Sequence, residues 1–392
     1  MKTISLNSRS FRALLILLTL FSNACSKDET GLVLPPCTSQ SPFKILPVDL
    51  TKVSYLGPIG TLAPTGGSPL PKEHTGFMLN QFSVPLIAPG DLTITEVRKV
   101  TYLSSPTRPG YVDYAIFFGV CNEVAGHFGH VTSLNPDLQP SSSQYQCTTY
   151  STVDETVEAC TAYTEISVAS GTQLATCGSA AHSPAIDIHM TDSRVSDGYI
   201  NPSRYGKSGV AGVLCPWDFF EDSIKTQLYA KIGLNSVTLT TENPKCGSVA
   251  VDRAGTAAGR WTPASNPGNA ADPADGKFLV LAPDVYKPET RIAYSTRITG
   301  ITPSSGNEGM VYPRFTVQST GRINITPSAI TANGQIYCYD TDLTTSTESF
   351  LVQLDSDSQL KVEKTTHSAG GSVCNADPST WAFSSNAVSL MR

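Results

Sequence analysis

The stretch Leu92-Thr93-Ile94-Thr95-Glu96-Val97-Arg98-Lys99-Val100-Thr101 alternates apolar and polar side chains over most of its length. A period of two belongs to a half-buried β-strand, whereas a helix repeats every three to four residues. Runs of similar character follow at Tyr111–Gly119, Glu165–Val168, Phe278–Leu281, Arg314–Val317, Gly334–Tyr339 and Ser349–Leu354. Together they predict a mainly β protein with few short helices. The clearest helix candidate is Pro216–Ile232, where Phe219, Phe220, Ile224, Leu228 and Ile232 recur at helical spacing. Thr262–Lys277, rich in Gly, Pro, Ala and Asp, predicts a long loop.

The 392 residues suit two domains of ordinary size. Charged residues make up 15%, against roughly 25% in an average soluble domain. The net charge of −6 argues against a nucleic-acid partner, which calls for a basic patch. Ten cysteines without a C-x-x-C pair point to disulfides in an oxidising compartment rather than to a cysteine metal site.

Lys2, Arg9 and Arg12 precede an apolar run from Ala13 to Phe21. Nine residues are too few to span a bilayer as a helix, which takes about 20, and the pattern reads as a secretory signal. It ends at Ser22-Asn23-Ala24-Cys25, which resembles the lipobox of bacterial lipoproteins, with Ser22 where Leu is commonest. The resemblance implies cleavage before Cys25 and acylation of that cysteine, so membrane attachment by lipid. Losing residues 1–24 removes three basic and no acidic residues and takes the net charge to −9. Residues 25–41 read as a tether, 42–240 as a first β domain and 241–392 as a second, with the boundary near 235–250.

Five of six histidines (His74, His127, His130, His182, His189) fall between residues 74 and 189. On a strand, Asp187 and His189 share one face. His127, next to Gly126 in a predicted turn, reads as a surface residue; His182 and His367 read as loop residues. Asp192 and Arg194 are expected to pair. Gly255–Trp261 reads as structural: no Lys-Ser/Thr follows its glycines, as a phosphate loop requires, and Trp261 anchors a core.

Several local signals occur in a definite order. Glu73-His74-Thr75-Gly76-Phe77 precedes Val84-Pro85-Leu86-Ile87-Ala88-Pro89-Gly90. Phe128-Gly129-His130-Val131 follows, then Ser170-Gly171 through Gly178, then Ala185-Ile186-Asp187-Ile188-His189. This series, over about residues 57–195, resembles the lysostaphin-type zinc metallopeptidases of bacterial cell walls. The resemblance implies a lysostaphin-type β domain with duplicated hybrid topology. It places His74 and His189 as zinc ligands, and His130 and Asp187 at the catalytic positions. It also implies degeneracy. The expected carboxylate ligand is Met78, a poor donor to zinc, and Asp187 replaces a catalytic histidine. A longer pattern, including Cys215-Pro216-Trp217-Asp218-Phe219-Phe220 and Asp252–Trp261, resembles a group of spirochaete-type bacterial lipoproteins with a β-rich C-terminal extension.

With Cys25 lipidated, nine cysteines remain. The expected pairs are Cys338–Cys374 and Cys215–Cys246. Two more bridges are expected among Cys121, Cys147, Cys160 and Cys177, with Cys37 left over. The functional expectation is a non-catalytic envelope lipoprotein, outer membrane favoured because Ser26 follows Cys25, that binds peptidoglycan or an envelope or host protein. The alternatives are an active zinc endopeptidase cutting cross-link peptides and a structural or adhesive surface protein.

Overall fold

The computed structural model describes residues 34–62, 69–151, 155–179, 184–205, 212–240, 243–264, 277–303, 315–318, 320–340, 347–368 and 371–392. The signal segment 1–24, the lipidation site Cys25 and His182 lie outside them.

The chain is mainly β. The first sheet uses β1 (Val53–Leu56), β2 (Thr75–Leu79), β3 (Val84–Ile87), β4 (Leu92–Ser104), β5 (Val112–Gly119), β6 (Val124–Leu134), β7 (Gln146–Ser151), β8 (Thr156–Val168), β9 (Gln173–Cys177), β10 (Ala185–Asp192) and β11 (Gly212–Val213). Its order is β1-β2-β10-β6-β5-β4-β8-β7; β9 links β3 to β6, and β11 lies on β10. Every named pairing is antiparallel. The second sheet uses β12 (Gly259–Pro263), β13 (Leu279–Pro283), β14 (Arg291–Thr296), β15 (Phe315–Thr316), β16 (Tyr337–Asp340), β17 (Glu348–Ser356), β18 (Gln359–Thr366) and β19 (Val388–Met391). Its order is β15-β14-β13-β12-β19-β18-β17-β16.

Strand parity sets the first core. Ile186, Ile188 and Met190 of β10, Ile116 and Phe118 of β5, and Phe128 of β6 join one apolar cluster with Phe77 and Trp217. The Phe77 and Trp217 rings meet edge-on at 4.9 Å. A second cluster around Trp261, Tyr294 and Phe350 fills the other sheet. Apolar side chains from both halves, Leu62 and Leu70 with Val280, Ala282 and Ala293, close the seam. Residues Pro36–Arg392 thereby form one compact unit.

The helix expected at Pro216–Ile232 divides into a 3₁₀ turn, Pro216–Phe219, and α1, Asp222–Tyr229. Phe220 between them is extended, and the Phe43 backbone bonds on either side of it, donating to the Phe219 carbonyl and accepting from the Glu221 N–H. Phe219 and Phe220 both pack on the Phe43 ring. Tertiary pairing with Phe43 outweighs local helical preference here.

Cys338–Cys374 and Cys215–Cys246 pair as expected, and Cys147–Cys160 supplies a third bridge. The fourth departs from expectation. Cys37 is not spare but bonds Cys121, and its backbone N–H donates to Glu123 at 2.9 Å. The segment read as a tether to residue 41 is therefore tied to the first sheet at residue 37. Among the described residues the free thiol is Cys177, fully buried on β9 in the first core.

Candidate functional site

The face of the first sheet opposite its core gathers the ionisable groups. Because Ile186, Ile188 and Met190 point to the core, Asp187 and His189 point away from it. Asp187 pairs with Gly76 on β2 and with Gly129 on β6. It is therefore flanked on both neighbouring strands by residues without a side chain. A Cβ at Gly76 would stand 2.8 Å from the Ile186 carbonyl oxygen and 3.1 Å from Asp187 Oδ1. The notch is thus a direct product of sequence.

Two histidines converge over it. His74, the residue before β2, places Nε2 3.0 Å from Asp187 Oδ2. His130 places Nε2 3.3 Å from the same oxygen, while its Nδ1 lies 3.0 Å from Asp113 Oδ2. His130 reaches this position through a β-bulge. Phe128 pairs with Ile116 and Val131 with Tyr114, so Gly129 and His130 together oppose Ala115. His130 takes a left-handed backbone, φ 58°, which is uncommon for a residue with a Cβ and occurs where surrounding contacts hold it. The expected turn around Gly126–His130 is instead part of the 11-residue strand β6. Gly126 serves close strand approach, since a Cβ there would lie 2.5 Å from the His189 carbonyl oxygen and from Met190 Sδ.

The electrostatics follow. Burial opposes charge on His130, but hydrogen bonds to Asp113 and Asp187 and their negative charges outweigh it, so its pKa is pushed up to about 10. His130 is a cation at neutral pH. Burial likewise opposes charge on Asp187, yet the bonds from His130 and His74 hold its carboxyl well below the usual range. Asp187 is thus a carboxylate shared by two imidazoles.

A stacked ladder runs beside this group across four adjacent strands. The Arg98 guanidinium lies 4.3 Å from the Phe117 ring centre. Phe117 lies 4.6 Å from His127, and His127 stacks on His189 at 4.9 Å with planes 16° apart. Burial and the neighbouring His189 and His74 push His127 down to about 3. Burial, and the neighbouring His74, also lower His189, against the opposing influence of Glu73. Both ladder histidines are neutral at pH 7. His127, which its Gly-rich surroundings suggested as a surface residue, is half-buried within this ladder on the face opposite the core.

The four residues singled out from sequence, His74, His130, Asp187 and His189, share one face. Two participants escaped sequence reasoning, Asp113 and His127. The parity of Tyr111–Gly119 carries the signal for Asp113, two residues from Ala115 and four from Phe117 on the same strand.

Among the described residues this face does not bring together the three protein donors that a catalytic zinc with an open position needs. Among the described residues, three or more candidate donor atoms converge only at Cys37, Cys121 and Glu123 and at Cys147, Glu158 and Cys160. The sulfurs there are engaged in disulfides. At the histidine face, Asp187 Oδ2 is taken by two imidazoles and His189 packs on His127. Met78 stands on β2 two residues beyond Gly76, so the thioether shares the notch's side of the sheet. Asp192 and Arg194 form the expected ion pair at 2.6 Å, away from this group. His367 follows β18 in a loop, as expected, and its Nε2 lies 3.0 Å from Ser349 Oγ. Comparison with protein-family models, curated proteins and solved structures finds no match.

Proposed function

We propose that this chain is a lipid-anchored cell-envelope protein, attached through Cys25 and favouring the outer membrane. Its lysostaphin-peptidase-like first sheet binds a cell-wall or envelope ligand instead of cleaving one. The observation that carries this reading is the state of Asp187. In the resembled peptidases a histidine at this place handles protons at the attacked bond. Here a carboxylate stands there, held ionised by two imidazoles, and so is a poor acid and a weak base at neutral pH. With Met78 in place of a carboxylate ligand, the face presents fixed hydrogen-bonding and charged groups. Such a face suits recognition of a polar ligand such as a wall peptide.

The test is co-sedimentation of the purified chain with insoluble peptidoglycan, alongside zinc analysis. The expected result is retention on peptidoglycan, weakened in Asp187→Ala and His74→Ala, with zinc well below one equivalent. Near-stoichiometric zinc together with cross-link hydrolysis lost in His74→Ala would overturn the reading in favour of an active endopeptidase. Absence of retention by wall, envelope extract and host matrix alike would overturn the binding role and leave a structural one.

A further inference from the structure

At the seam between the two sheets lies a cavity of about 130 Å³. Its wall is largely apolar, with Leu62, Val251, Ala282 and Ala293 among the lining residues, and two charged side chains, Arg253 and Asp284, line it as well. It is separate from the histidine face and owes nothing to the reading of that face.

The two charged groups differ in setting, Arg253 on the exposed rim and Asp284 buried, and each keeps hydrogen-bonding capacity unused among the described residues. Arg253 Nη1 donates to the carbonyl oxygens of Ala250 and Asp252 at 3.0 and 3.1 Å. These bonds hold the guanidinium plane, while Nε and Nη2 donate to nothing among the described residues. That pair of N–H groups is the edge of arginine that matches a carboxylate with two parallel bonds. Asp284 is 5% exposed. Its Oδ1 accepts from the Tyr286 and Lys287 N–H groups at 2.9 and 3.0 Å, and Oδ2 accepts from nothing among the described residues. A buried carboxylate with one oxygen uncommitted favours a cationic hydrogen-bond donor.

We propose that this cavity binds a small free α-amino acid as its zwitterion. The carboxylate takes the Nε/Nη2 edge of Arg253, the ammonium takes Asp284 Oδ2, and a short aliphatic side chain lies against Val251, Ala282 and Ala293. Size selects the class. A cavity of about 150 Å³ holds a benzene ring of six non-hydrogen atoms, and alanine has the same number. For so few atoms a Kd on the order of 1 mM is expected.

The experiment is ligand-observed NMR and calorimetry on the purified chain with D- and L-alanine. Propionate, which lacks the amine, and ethylamine, which lacks the carboxylate, serve as controls. We expect saturable binding of at least one alanine enantiomer and binding of neither control below about 20 mM. Arg253→Met and Asp284→Asn should each weaken binding about 10- to 100-fold, the latter keeping the turn-capping oxygen. Ala293→Leu should abolish it by filling the cavity, with an unchanged circular dichroism spectrum confirming the fold. No saturable alanine binding in the wild type overturns the proposal. So does equal binding of either control, or alanine binding that persists unchanged in both Arg253→Met and Ala293→Leu.

Discussion

Asp113→Asn removes one of the two carboxylates that hold His130 charged, with little change in shape. Asp113 Oδ2 lies 3.0 Å from His130 Nδ1, and Asp187 Oδ2 lies 3.3 Å from Nε2. A hydrogen bond to a charged group contributes about 1.5–3 kcal/mol, and one pKa unit corresponds to 1.36 kcal/mol. Losing the Asp113 partner should therefore lower the His130 pKa by about 1–2 units from its value of about 10. The sign for stability follows. The folded pKa lies above the unfolded value of about 6.5, so this contribution is fully present below pH 6.5 and disappears as pH rises toward 10. The full interval corresponds to a ceiling of about 5 kcal/mol. The His130 side chain is 30% exposed, and solvent screening reduces the expected loss to about 1–2 kcal/mol. The assay is a histidine Cε1–H titration by NMR from pH 5 to 11, assigned with His130→Gln, together with urea unfolding at pH 6, 8 and 10. In wild type His130 should titrate far above the usual histidine range, at about 10. An ordinary His130 pKa in wild type, or one unmoved by Asp113→Asn, would refute the charge network.

Three further outcomes are expected. Arg260 and Asp252 are 1% and 0% exposed at 2.9 Å, so Arg260→Met should cost about 3–5 kcal/mol in urea unfolding by leaving a buried charge unpaired; a loss below about 1 kcal/mol contradicts this. Because His127 is held down to about 3, the unfolded state binds its proton first, and stability should fall as pH drops from about 6.5 toward 3. His127→Phe, which keeps the stack on Phe117 and His189, should remove that share of the slope, and identical acid titrations of the two proteins would count against it. With the Cys25 sulfur blocked by lipid, a maleimide should reach Cys177 alone, and only after unfolding without reductant, since that thiol is buried and burial pushes its pKa well above its usual value. Peptide mapping should then return Cys37–Cys121 as a native bridge.

Alternation made the strands legible. Leu92–Thr101 lies within β4, and Asp187 and His189 share a face as their spacing required. What sequence hid depends on neighbours distant in the chain. Gly126 and Gly129 suggested a turn because glycine tolerates turns, but Gly126 is needed where Met190 and the His189 carbonyl crowd the adjoining strand. The His130 bulge shifts parity by one residue and so brings a side chain to the polar face that simple counting misplaces. Phe219 and Phe220 read as two helical positions, yet adjacent residues cannot both meet Phe43 from one regular helix. Among the cysteines, the pairs 31 and 36 residues apart were accessible to local reasoning, whereas Cys37 and Cys121 are 84 apart. That bridge depends on where the entering segment docks.

The second sheet carries a temporal consequence. β19 stands between β12 and β18 in space although it comes last in sequence. Arg392, just after it, bonds the carbonyl oxygens of Asp357, Ala258 and Arg253 and lies 4.4 Å from the Trp261 ring centre. A chain that emerges from its N-terminus can assemble β12–β15 and β16–β18 early, but only as two separate half-sheets with open edges. Joining them waits for residues 388–392. Until β19 takes its place between β12 and β18, the two half-sheets keep exposed edges open to pairing with other chains.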